Sequence, residues 1–230
     1  MSENIKKITK AFVVDLGSRE NQSILKSNAR SSNNQAHQVN EAAEKIDKLI
    51  KNAPYSNDDI ILNHNEIKEA FFSPFKPQLK DAQVFLSHSH ADRNKALEVN
   101  YLESKTNHRV FIDSLFWDYK DNIVKEMSKY DNTSKIEDAF TLILRESLQD
   151  MIEKCPYFVF LKNKNSVSDQ GLSHITYSAW IYKELKIAHS IRESRPTPMM
   201  ENFQVSHNIS PFLEHLETIT LSKLSHIINS

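Results

Sequence analysis

The segment that most restricts the fold is Tyr157-Phe158-Val159-Phe160-Leu161, which is apolar at every position and follows Pro156. Successive side chains of a strand point to opposite faces. A strand with no polar face must be covered on both sides, as in a parallel sheet between helices. Ahead of it, Ile136, Phe140, Ile143, Leu144, Leu148, Met151 and Ile152 keep helical spacing. Ser134-Lys135-Ile136-Glu137 reads as a capping box at the start of that helix, and Pro156 ends it.

The same alternation extends both ways. Gln83-Val84-Phe85-Leu86-Ser87 and Arg109-Val110-Phe111-Ile112-Asp113 read as strands, with a helix over Asp92 to Leu102 between them. A further helix is expected from Tyr177 to about Glu193, and further strands at Phe203-Gln204-Val205 and Thr218-Ile219-Thr220-Leu221. Strand-helix alternation predicts an α/β fold, a parallel sheet with helices on both faces. Ligands of such sheets bind beyond the carboxyl ends of the strands, where His88 and Asp113 stand.

Residues 1–80 differ. Polar runs alternate with helical spacing over Val39 to Ile50 and Asp58 to Phe72, and Pro74 and Pro77 mark a boundary. This reads as a helical N-terminal extension, with the main domain over 81–230. Removing residues 1 to about 76 is expected to leave a folded domain. Ser114 to Thr133 reads as a long polar connection bearing Phe116, Trp117, Tyr119 and Tyr130, a gate or assembly surface beside the site.

Composition excludes several classes. With two glycines, Gly17 and Gly171, the chain has no Walker loop, Rossmann fingerprint or serine-hydrolase elbow. The single Cys155 excludes an internal disulfide and a cysteine-cluster zinc site, and is expected to be a buried structural thiol. His88-Ser89-His90 lacks the spacing of a helical zinc site, so no metal is expected. A net charge of -1 removes the usual electrostatic reason to expect nucleic acid or a membrane surface as partner. No apolar leader or membrane-length run is present, so a soluble, cytoplasmic protein is expected.

The most informative constellation is Tyr177, Trp180 and Glu184, spaced to share one face of a helix. A carboxyl beside two aromatic rings loses water, which favours its neutral form or a strong hydrogen bond.

Four runs in register, Val84-Phe85-Leu86-Ser87-His88-Ser89, Val110-Phe111-Ile112-Asp113-Ser114, Tyr157 to Leu161 and Ser178-Ala179-Trp180-Ile181-Tyr182-Lys183-Glu184-Leu185, resemble the TIR (Toll/interleukin-1 receptor) domain family over about residues 81–195. The last run resembles the family's Ser-x-Trp-x-x-x-Glu-Leu motif. The resemblance implies a flavodoxin-like TIR fold and cleavage of the nicotinamide-ribose bond of NAD, with Glu184 catalytic. It also implies a cleft lined by Phe85, Ser87, His88, Asp113, Trp117, Tyr177 and Trp180. NAD is then the substrate, no cofactor is needed, and partners are other TIR domains or further copies of the chain. The product is ADP-ribose or a cyclic ADP-ribose-type signal, as in prokaryotic antiphage defence of the Thoeris type. Two other readings are a non-catalytic TIR-like interaction module and a different nucleotide-processing α/β enzyme.

Overall fold

The computed structural model describes residues 10–25, 44–49, 51–52, 55–56, 59–60, 63–72, 82–104, 110–127, 133–170, 173–193 and 206–229. They fall into two units. One holds Met1–Arg30, Ala82–Asp113 and Leu148–Ser230, and the other Ser31–Asp81 and Ser114–Ser147.

The first unit is built on a five-stranded sheet of β1 (Lys10–Asp15), β4 (Val84–Ser87), β5 (Val110–Ile112), β6 (Tyr157–Lys162) and β10 (Glu217–Ile219). Its spatial order is β10-β1-β6-β4-β5, and every pairing is parallel. In β6, Phe158 to Leu161 are all buried, so both faces of the strand are covered, as its composition requires. β4 is buried throughout, and Phe85 stacks between Phe111 and Phe158 at 5.3 and 5.7 Å. Beyond β6, β7 (Ser168–Gln170), β8 (Ser173–Thr176) and β9 (His207–Asn208) form a small antiparallel sheet.

The sheet corrects the expected N-terminal extension. Lys10–Asp15 is a strand that pairs with β6 along six residues and with β10 on its other side. Its Ala11-Phe12-Val13-Val14 core is buried and carries the same unbroken apolar signal as β6. The helix Arg19–Ile24 follows, capped by Ser18, whose Oγ accepts from the Asn21 amide at 3.3 Å. Buried Asn21 then ties the chain ends together. Its Nδ2 donates to the Asp15 carbonyl at 2.8 Å, and its Oδ1 accepts from the Leu221 amide at 2.9 Å. Leu221 opens the helix Leu221–Asn229, so Asn21 satisfies one of that helix's orphan donors.

In the second unit, residues 44–49 are helical, and β2 (Tyr55–Ser56) pairs with β3 (Asp59–Ile60) where a longer helix from Asp58 was expected. The helix there is His64–Phe72. Phe71 meets Tyr119 edge-on at 5.1 Å and lies 5.4 Å from Phe140. This cluster overturns the expected loop. Asp113–Met127 is a helix, with Tyr119 and Ile123 fully buried one turn apart on one face. A gate made of an irregular connection is therefore absent from 113–127, while 128–132 lie outside the described residues. The next helix is Thr133–Lys154, so Ser134 lies inside it and is not its cap. The stretch Phe203-Gln204-Val205 also lies outside the described residues. Among the described residues no helix is long and apolar enough to cross a membrane. Cys155 is buried, and burial pushes its thiol up to about 12 against the opposing effect of Lys154.

Two outcomes follow for stability. Deleting residues up to Leu25 strips β6 and β10 of their shared partner, and the truncated chain should lose cooperative thermal unfolding. A sharp transition near the full-length melting temperature would show that the sheet closes without β1. Asn21→Ala leaves the Leu221 amide buried and unpaired, which should cost about 1–3 kcal/mol in urea unfolding.

Candidate active site

The chain leaves β4 toward one edge of the sheet, at β5, and leaves β6 toward the other, at β10. The crevice between the carboxyl ends of β4 and β6 is therefore a topological switch point, the usual ligand position in such sheets. Ser87 is the last residue of β4, in register with Phe160. Asp113 directly follows β5 and opens the next helix.

The helix Ala179–Glu193 supplies the rest. Ser178 precedes it, and its Oγ accepts from the Ile181 amide at 3.2 Å, satisfying a first-turn donor. Ile181, Leu185 and Ala188 form its buried stripe. Glu184 lies inside that stripe and is completely buried, a costly place for a carboxyl without compensation. Ser87 Oγ donates to Glu184 Oε2 at 2.5 Å. Trp180 Nε1 donates to Asp113 Oδ2 at 2.9 Å. His88 Nδ1 lies 3.2 Å from the Leu86 carbonyl and 3.3 Å from Asp113 Oδ1. Ser87, His88, Asp113, Trp180 and Glu184 thus form one polar cluster around two carboxyl groups.

Burial, and after it the charge of Asp113, holds the Glu184 carboxyl well above its ordinary value, while the Ser87 bond acts against the rise. Oε2 accepts from Ser87, and the Glu184 carboxyl also lies against the Asp113 carboxyl and the Trp180 N–H. The arrangement is a buried pair of carboxyl groups in which the neutral form of Glu184 is favoured.

Two other expected site residues are placed elsewhere. Phe85 is fully buried inside the apolar layer of the sheet. Tyr177 precedes the helix and is 69% exposed, so it shares no helical face with Trp180 and Glu184. Trp117 lies in the helix Asp113–Met127, and its side chain is outside the described residues.

A strap beside the cluster escaped the sequence reading. Asn163 and Asn165, in the turn after β6, donate their side-chain amides to Asp92 Oδ1 at 2.8 and 2.9 Å. Asp92 ends the short helical turn His90–Asp92 that follows Ser87 and His88. Its signal is a buried-capable Asp on one strand-end loop and an Asn-x-Asn turn on another. Nothing in the local pattern pairs them. Among the described residues no group of three His, Cys, Asp or Glu is placed to hold a metal ion.

No protein-family model, curated protein or solved structure matches the chain.

The Glu184 proton makes stability depend on pH. Above the ordinary carboxyl value the unfolded chain releases the Glu184 proton and the folded one keeps it. The Glu184 contribution to stability is therefore full at low pH and falls as pH rises through that window, by up to about 1.4 kcal/mol per pH unit. Thermal unfolding of wild type and Glu184→Gln, compared between about pH 5 and 8, should show a decline in wild type that is flattened in the variant. Parallel profiles would mean that Glu184 ionises normally.

Proposed function

We propose that the chain is a TIR-type enzyme that cleaves the nicotinamide-ribose bond of NAD, with Glu184 as its working carboxyl group. The observation that carries the reading is Glu184 itself, a completely buried acid at the carboxyl ends of a parallel sheet, held by Ser87 and beside Asp113. A buried acid next to a second carboxyl is a poor structural element but a good receptor for a cation.

The nicotinamide ring of NAD is a pyridinium cation. Its arrival offsets the repulsion between Glu184 and Asp113 and favours loss of the Glu184 proton. The ionised Glu184 then faces the ribose as the C1′–N bond breaks. The bonding pair leaves with nicotinamide, which departs neutral, and positive charge develops on the sugar. Water that attacks C1′ and gives up a proton yields ADP-ribose. A nucleophilic nitrogen of the same molecule yields a cyclic product instead. Trp180, held by its N–H on Asp113, offers a half-buried ring that already has the Lys183 ammonium 6.0 Å from its centre. On this reading the protein is a cytoplasmic NAD-consuming factor of antiphage defence that works by self-assembly or with other TIR domains.

One observation favours a second reading, a non-catalytic TIR-like interaction module. Glu184 has no exposed surface, so a substrate reaches it only after the cluster opens. Nicotinamide release by the purified chain separates the two. The expected result is cleavage by wild type and a loss of roughly 100-fold or more in Glu184→Gln. Near-normal turnover in that variant removes Glu184 from the chemistry. A wild-type protein inert toward NAD over a range of protein concentrations supports the interaction module.

A further inference from the structure

A second feature lies across β6 from the carboxyl cluster. A cavity of about 960 Å³ opens at the carboxyl ends of β1 and β6. Its walls come from separate segments. Asp15 and Lys162 end the two strands as a register pair. Lys95 and Glu98 stand one turn apart on the helix Arg93–Ser104, and buried Leu16 and Val167 supply an apolar wall. The volume suits a small organic molecule far better than a single inorganic ion.

The charges in this cavity are loosely engaged. Lys162 Nζ lies 3.7 Å from Asp169, whose carboxylate is already bonded by His174 at 2.5 Å. Lys95 Nζ lies 3.4 Å from Asp92 Oδ1, which already accepts from Asn163 and Asn165. Both separations exceed the roughly 2.7–2.9 Å of a direct charge-assisted bond. Each lysine is thus a loosely held donor to an oxygen that already accepts from other groups, and can turn toward an incoming anion. The carboxylates differ in kind. Asp15 keeps its fold by accepting from the Gly17 amide at 2.7 Å through Oδ1, which leaves Oδ2 for other donors. A bare polyanion would be repelled by Asp15 and Glu98. A molecule with phosphate at one end and hydroxyl groups at the other meets both signs.

We propose that this cavity binds a nucleoside phosphate, with Lys95 and Lys162 on the phosphate, Asp15 and Glu98 on the sugar hydroxyls, and the base against Leu16 and Val167. The site is distinct from the Glu184 cluster, because β6 separates β1 from β4 and the Asp92 strap stands between. It does not depend on NAD cleavage.

Calorimetric titration of the full chain with ADP at low ionic strength tests the proposal, since ADP has no nicotinamide-ribose bond to break. Wild type should bind ADP, and bind inorganic pyrophosphate at least tenfold more weakly (about 1.4 kcal/mol). Lys95→Gln combined with Lys162→Gln should weaken ADP binding about tenfold or more with the fold retained, as both side chains are partly exposed. Leu25→Trp, which fills the cavity from its wall without altering charge, should abolish binding. Absence of ADP binding to wild type, unchanged affinity in both variants, or pyrophosphate binding as tightly as ADP each overturns the proposal. ADP binding that is lost in Glu184→Gln and kept in the lysine variant overturns it too, and places the nucleotide at the carboxyl cluster.

Discussion

The structure depends on the pairing of β1 with β6. Without it, β6 becomes an edge strand with one side of its backbone unsatisfied, and β10 has no neighbour in the sheet. Both halves of the pair are apolar at every central position, so each needs the other and also needs cover above and below. That requirement positions everything functional. Once β6 is central, the carboxyl ends of β4 and β6 face a common crevice, and the turn after β6 comes within hydrogen-bond reach of the loop after β4.

The carboxyl cluster shows how such a frame holds a group that opposes folding. Glu184 shares its stripe with Ile181, Leu185 and Ala188, positions that favour an apolar side chain. Its burial is made tolerable by neutrality and by the Ser87 hydroxyl. Asp113 is held differently, by the Trp180 N–H, and its charge is one reason Glu184 stays neutral. The two carboxyl groups thus have unlike surroundings, and only that of Glu184 is driven toward the neutral form by burial.

Much of the sheet was legible in the sequence. β4, β5 and β6 each announce themselves as short apolar runs between polar or helical segments, and β10 is visible in Thr218-Ile219. β1 carries an equally clear run, Ala11-Phe12-Val13-Val14, but the polar stretch after it drew the whole region into a presumed extension. A strand's place in a sheet is a non-local property, and its partner lies beyond a hundred intervening residues. The helix Asp113–Met127 was missed for a local reason. Its polar residues dominate the count, while Tyr119 and Ile123, one turn apart, carry the actual periodicity. At the site, Ser87, His88, Asp113, Trp180 and Glu184 were singled out individually. Their mutual bonds were not readable, because a hydrogen bond between residues as remote as Ser87 and Glu184 leaves no trace in spacing. Tyr177 was misjudged because the helix begins two residues later, a shift within ordinary boundary error.

The interior position of β1 also has a consequence for how the chain is made. Lys10 pairs with Tyr157, so the strand emerges from the ribosome roughly 150 residues before its partner. At about 5–20 residues per second, that is a wait on the order of ten seconds. During it Ala11-Phe12-Val13-Val14 is an unpaired apolar strand with low charge at its centre, the kind of segment that self-associates. The flanking Lys10 and Asp15 act as gatekeepers against such association. The high separation of contacts in the sheet makes folding slow, because the loop must close before the pairing it brings together can stabilise the chain.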